Sequence, residues 1–230
     1  VQAMGELAVR ELPLFPLPDV VLFPQEVLPL HIFEPRYQEM LRDVLAHDRL
    51  FAIARLNPQG QKKSGQPEPL HHIASVGIIR ACQKGENNTS NLLLQGLCRI
   101  EIADIITEEP YRRIRVRALT SEPGKTEDYV ALRRELARLL VLKHKLAAKG
   151  TSGPGQLAAF LKNVDDPEAF VDIAAFSLCD DPHMKQKLLE TLDVRRRFDL
   201  FSAQVREEIA GIKLRHKLQG RLSEEQISDN

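Results

Sequence analysis

Gly124-Lys125-Thr126 follows a strand-like stretch and precedes a helix-like one, the context of a phosphate-binding loop. Such a loop reads G-x-x-x-x-G-K-[ST], because consecutive backbone amides must wrap the phosphates. Here Leu119 stands where the first glycine belongs, and Pro123 removes one amide from the cradle. Thr126 is therefore read as a helix start. His71, His72 and Cys82 are metal-ligand types, but no C-x-x-C or H-x-x-x-H pair accompanies them. Adjacent strand residues also point to opposite faces, so His71 and His72 would not share one ion easily. Ser152, in Thr151-Ser152-Gly153-Pro154-Gly155, has no base placed beside it, and a serine without one is inert. Asp165-Asp166 and Asp180-Asp181 each precede a proline, the pattern of a helix N-cap followed by a first-turn proline. His31, between Leu30 and Ile32, is read as a half-buried, hydrogen-bonded residue. No catalytic residue, cofactor site or metal site is assigned, and the chain is read as a non-enzyme.

Charge patterning restricts the partners. Lys+Arg and Asp+Glu both number 32 in the 230 residues, giving no net charge. Proteins built to coat nucleic acid or an anionic membrane need a positive surplus. Arg113, Arg115 and Arg117 alternate with Ile114, Val116 and Ala118 on a strand. The arginine row could contact RNA or another anion, but no aromatic side chains interleave with it to stack bases, and it is read as a solvated sheet face. The run Arg195-Arg196-Arg197 and the cluster Lys213 to Arg221 fall on a terminal helix. There they could complement a helix dipole or meet an acidic partner.

The elements that must position any site divide the chain in two. Hydrophobic residues are 43 % and charged residues 28 % of the sequence, the balance of a globular protein with its own core. Residues 12–37 hold six prolines yet are strongly apolar, and are read as short, bent strands at 12–16 and 26–32. A helix follows from Pro35, with Tyr37, Met40, Leu41, Val44 and Leu45 on one face. Strands are expected at 50–56, 72–82, 91–96, 98–106 and 112–119, with a polar loop at 57–69. Beyond residue 120 the period becomes helical: 127–150, a second helix from Pro154, starts at Asp166-Pro167 and Asp181-Pro182, and a long helix from Asp193. Val194, Phe198, Phe201, Val205, Ile209 and Ile212 make an apolar seam along that last helix. The domain reading is 8–120 β-rich and 125–220 helical. Cys82, Cys98 and Cys179 are read as buried reduced thiols. With no signal-like or spanning apolar stretch, they point to a cytoplasmic location.

The segment LPLFPLPDVVLFPQEVLPLHIFEPRY (12–37) resembles the opening motif of the Lon protease N-terminal, substrate-binding domain family. The resemblance continues in order through LFAIARL, VGIIRACQ, LLLQGLCRIEI, PYRRIRVRAL and the helical segments, over about residues 11–210. It implies an α+β fold: a six-stranded, PUA-like β-barrel followed by a helical bundle with a long C-terminal helix. It also implies a stand-alone member lacking the ATPase and protease domains.

The function so implied is non-catalytic recognition of exposed apolar segments of unfolded or partly folded proteins. Candidate binding residues are Phe23, Phe33, Arg36 and Tyr37, at the junction of the opening strands with the first helix; the three aromatics fit the core better than the surface. An adaptor docking on a separate ATPase or protease through the last helix is the alternative, and it requires part of the 194–212 seam to be exposed. An RNA-binding PUA-like protein is the third reading, opposed by zero net charge and 5 % aromatic residues.

Overall fold

The sequence pattern suggests seven strand segments before residue 120, and a computed structural model describing residues 10–60, 68–122, 129–147 and 163–219 shows six strands, the number the family resemblance implies. They are β1 (Arg10–Leu17), β2 (Val27–Ile32), β3 (Leu50–Arg55), β4 (Ile73–Lys84), β5 (Ser90–Thr107) and β6 (Arg113–Leu119). The helices are α1 (Pro35–Ala46), α2 (Tyr129–Ala147), α3 (Pro167–Leu178), α4 (Pro182–Glu190) and α5 (Val194–Gln219). The class is α+β. Gly124-Lys125-Thr126, Ser152 and the helix expected from Pro154 lie outside the described residues.

The sheet order is β2-β5-β4-β3-β1-β6, and β6 also pairs with β5. That last pairing closes β5, β4, β3, β1 and β6 into a ring. β1 and β3 run parallel and the remaining pairs are antiparallel. Strand alternation feeds two apolar clusters. One contains Leu12, Leu14, Ala52, Ala54, Val76, Ile100, Ile114 and Val116. The other contains Phe15, Phe51, Ile53, Ile79 and Leu94 with the α1 face Tyr37, Met40, Leu41 and Val44. Pro35 is at the start of α1, where a missing N–H leaves no intrahelical bond unmade.

The expected break between strands 91–96 and 98–106 is absent: β5 is continuous, with Leu97 as an extra residue opposite Val76/Gly77, and a second shift leaves Arg80 as the extra residue on β4. Gly96 is the residue that permits this. A Cβ there would lie 2.9 Å from the carbonyl carbon of Phe23 and closer still to its oxygen. In the turn before β5, Asn87 and Asn88 have φ of 54° and 60°, a conformation that asparagine tolerates better than most residues.

The chain forms two compact units: Val1–Glu122 with Asp172–Leu192, and Pro123–Val171 with Asp193–Asn230. Residues 172–192 thus join the β-rich unit, and the helices are shared between both. In the first unit, Arg99 forms a bidentate pair with Asp172 (2.7 and 2.8 Å) and donates through Nε to the Leu189 carbonyl at 3.0 Å. Gln186 donates to the Ile73 carbonyl at 2.9 Å.

In the second unit, α2 and α5 pack along the apolar seam. Phe198 meets Phe170 and Tyr129, each with ring centroids 5.9 Å apart. Val194, Phe198, Phe201, Val205, Ile209 and Ile212 are all buried. At 1.5 Å per residue, the 26 residues of α5 span roughly 39 Å. Asp166, Asp181 and Asp193 each accept a backbone N–H in the next turn (2.7, 2.9 and 3.0 Å), so these aspartates are helix caps.

Candidate functional site

The prolines of the opening segment shape a concavity of the first unit. Pro16 and Pro18 interrupt hydrogen bonding at the end of β1, and Pro35 starts α1 directly after β2. Between these pieces, and beside the β5–β6 connection, lies a cleft of about 880 Å³. Its buried lining is aromatic: Phe15, Tyr37 and Tyr111. Phe15 and Tyr37 meet edge to face with centroids 4.4 Å apart. Tyr111 donates to Asp43 Oδ2 at 2.7 Å, which fixes its ring. Burial raises the Tyr37 and Tyr111 hydroxyls above their ordinary value, and the bond to Asp43 raises Tyr111 further. Both therefore remain neutral donors at physiological pH.

The exposed lining combines one large apolar side chain with charges. Phe33 is 61 % exposed, an unusual position for phenylalanine, and stacks on His31 at 6.0 Å between centroids. His31 itself is exposed rather than half-buried, its Nδ1 2.8 Å from Asn91 Oδ1. Arg36 lies over the Tyr37 ring at 4.6 Å and pairs with Glu34 at 2.8 Å. Arg112 donates to Glu108 at 2.7 Å and to the Glu68 carbonyl at 3.1 Å, while its Nη1 is buried without a hydrogen-bond partner.

Three of the four candidate residues, Phe33, Arg36 and Tyr37, therefore line one cleft. Phe23 does not. It is fully buried with the Arg99 guanidinium 5.8 Å from its ring centroid, and it belongs to the core. Sequence reasoning missed Pro16–Pro18 and Glu108–Arg112. Tyr111, alone among polar neighbours in the β5–β6 connection, was the available signal for the second group.

Several of the other candidate surfaces are accounted for within the fold, whereas Leu214 and Leu218 toward the end of α5 stay exposed. Arg115 pairs with Asp104 and Glu11 (3.2 and 3.6 Å), and Arg117 pairs with Glu101, so carboxylates neutralise much of the arginine row. Arg197 is fully buried against Glu168 at 3.2 Å, and the α5 seam has no exposed apolar face left between 194 and 212. His71 is 3.0 Å from Glu190. Cys98 and Cys179 are buried, and Cys82, partly buried rather than fully, lines a separate cavity of about 330 Å³. Among the described residues no group of three or more His, Cys, Asp or Glu side chains is arranged to hold a metal ion. No described helix is long and apolar enough to cross a membrane.

The first unit is thus an α+β unit with a strand ring, a covering helix and an aromatic-lined cleft. Residues 11–204 match the ATP-dependent protease La (LON) substrate-binding domain, and the chain belongs to that family. It is similar to the Lon protease of Desulfosudis oleivorans, 26 % identical over 213 residues, covering 93 % of this chain and 26 % of that protein. It is also similar to the Lon protease of Syntrophus aciditrophicus, 29 % identical over 217 residues, covering 93 % of this chain and 27 % of the relative. The chain thus spans about a quarter of the length of these relatives. The matched family is the substrate-binding domain, distinct from the catalytic protease domain. In fold it resembles the N-terminal domain of Mycobacterium avium complex Lon protease, with a TM-score of 0.62 at 18 % identity, covering 85 % of this chain and 98 % of that one. The Lon N-terminal domain protein from Xanthomonas campestris gives a TM-score of 0.58 at 21 % identity, covering 84 % and 98 %.

Proposed function

We propose that this chain is a non-catalytic recognition module that binds exposed apolar segments of other proteins in the cleft lined by Phe33, Arg36 and Tyr37. The observation that carries this reading is Phe33: a 61 % exposed aromatic beside three buried aromatics in one open cleft of about 880 Å³. Leaving that ring in water forgoes roughly 1.5–3 kcal/mol of burial, which an apolar ligand side chain would recover. The volume lies within the range of about 300–1,000 Å³ usual for ligand sites. The relatives are named Lon protease, so the bound segments are inferred to come from proteins destined for proteolysis.

The test is fluorescence anisotropy of a labelled, permanently unfolded protein (reduced and alkylated), titrated with this chain at low and high salt. Saturable binding that survives high salt supports the reading, because apolar contact is not screened. Absence of binding at high micromolar chain overturns it. A labelled single-stranded RNA serves as comparison, and steeply salt-dependent RNA binding in place of protein binding would favour a phosphate-recognition role instead.

A further inference from the structure

The ring of strands is closed at one end only. β6 pairs with β5 through Arg99–Thr107 and with β1 through Arg10–Pro13. Beyond Pro13, β1 is paired with β3 alone, and β2 is paired with β5 alone. One edge of residues 15–17 and one edge of β2 therefore lack a strand partner among the described residues, and both line the same cleft through Pro16, Leu17, Leu30 and His31.

Backbone alternation fixes what each edge offers. Gly96 N–H donates to the Glu26 carbonyl at 2.8 Å, in register with the pair Val27↔Gln95. Residues 28, 30 and 32 consequently turn their backbone groups toward β5, and 27, 29 and 31 turn theirs outward. Pro29 fits the outward side, where its missing N–H costs no ladder bond. On β1, Leu14 N–H donates to the Arg112 carbonyl and Leu56 N–H to the Leu17 carbonyl, both at 2.9 Å. Pro16 is thereby left facing away from β3 with only its carbonyl to give. The β2 edge is the richer of the two, with the N–H groups of Val27 and His31 and three carbonyls.

We propose that the cleft takes its ligand as an extended strand, hydrogen-bonded to the outward edge of β2 in the gap between β2 and the end of β1. Strand addition of this kind draws affinity from the main chain and specificity from alternate side chains. The occupant is an extended apolar segment flanked by basic residues. Around the cleft the carboxylates Glu34, Glu108 and Glu109 outnumber the guanidiniums of Arg36 and Arg112, so cationic ends are favoured over anionic ones. This inference rests on the cleft being the recognition site and adds the conformation and charge of what enters it.

The probe is a labelled peptide alternating valine and threonine with lysine at each end. Its two N-methylated forms carry methyl groups on every valine amide or on every threonine amide, which point to opposite sides of a strand. The expected result is a loss of about tenfold for one form and under about threefold for the other. On the chain, His31→Pro removes the outward N–H without touching the β5 ladder, and His31→Ala keeps it; H31P is expected to bind about tenfold more weakly than H31A. Both variants are checked for unchanged thermal unfolding, and H31A alone controls for the side chain's bond to Asn91. Replacing the terminal lysines with glutamates is expected to weaken binding further. Equal effects of the two methylation patterns, or no peptide binding by a chain that still binds the unfolded protein, would overturn the strand mode while leaving the recognition function standing. Loss of both ligands would overturn the recognition function itself.

Discussion

Arg99 and Asp172, 73 positions apart, meet in a bidentate ion pair in which both side chains are only 2 % exposed. A third donor of the same guanidinium reaches the Leu189 carbonyl, and the ring of Phe23 lies beneath it. This cluster ties the segment 172–192 to the strand ring. Removing one partner leaves the other charge buried, which costs about 3–5 kcal/mol. Asp172→Ala should lower stability by that amount in chemical denaturation. The double variant Arg99→Met/Asp172→Leu should recover much of the loss, since it leaves no buried charge. If the double variant were as unstable as the single, the packing of this segment, and not its charge balance, would be what Asp172 serves.

Glu26 stands near the same pair. Burial first, and the negative charge of Asp172 second, raise its pKa above the ordinary 4.5. A raised carboxyl pKa favours the protonated native state, so the contribution is fully favourable below pH 4.5 and is lost as pH rises through the folded value. Glu26→Gln should therefore stabilise the chain at neutral pH, and the gain should vanish toward pH 4. Denaturation midpoints of both proteins measured across pH 4–8 would show the two curves converging at the acid end. Parallel curves would mean that Glu26 titrates as it does in the unfolded chain.

Gly96 offers a sharper structural test. Any Cβ at this position overlaps the Phe23 carbonyl, and a backbone atom cannot move aside as a flexible side chain can. Gly96→Ala should cost about 1–3 kcal/mol or more, most of it from displacing residues 22–24. Thermal unfolding reads this directly. A neutral effect would show that the segment before β2 can shift at little cost.

Much of the strand ring was legible because its signals are local. Proline positions marked short strands, and Pro29 duly falls on an edge. The alternation of Arg113 to Ala118 marked a half-buried strand, and Asp-Pro pairs marked two helix starts. What escaped was long-range. The Arg99–Asp172 pair has no local signature, so residues 172–192 read simply as more of a helical half. The continuity of β5 was hidden because Gly96 weakens the strand pattern while providing the close approach that the fold requires. At the cleft, the stretch that carries Phe33, Arg36 and Tyr37 could be found from its junction of strand and proline-started helix. Phe23 could not be separated from them, since an aromatic beside proline gives no indication of which way it faces.

Phe33 and Tyr37 make the decisive comparison for the cleft, because they line the same space with opposite burial: 61 % and 5 % exposed. Tyr37 packs on Phe15 and within the α1 cluster, so Tyr37→Ala should cost about 3–5 kcal/mol, as for other large buried aromatics. Phe33 contributes little to the core, and Phe33→Ser should leave stability within about 0.5 kcal/mol. In binding the order should reverse. Phe33→Ser should weaken capture of the unfolded protein by about tenfold, in keeping with an aromatic anchor at an interface. The two readouts are denaturation for stability and anisotropy for binding, made on the same preparations. A Phe33→Ser chain that binds as well as the parent would move the recognition site away from this cleft, even with the fold intact.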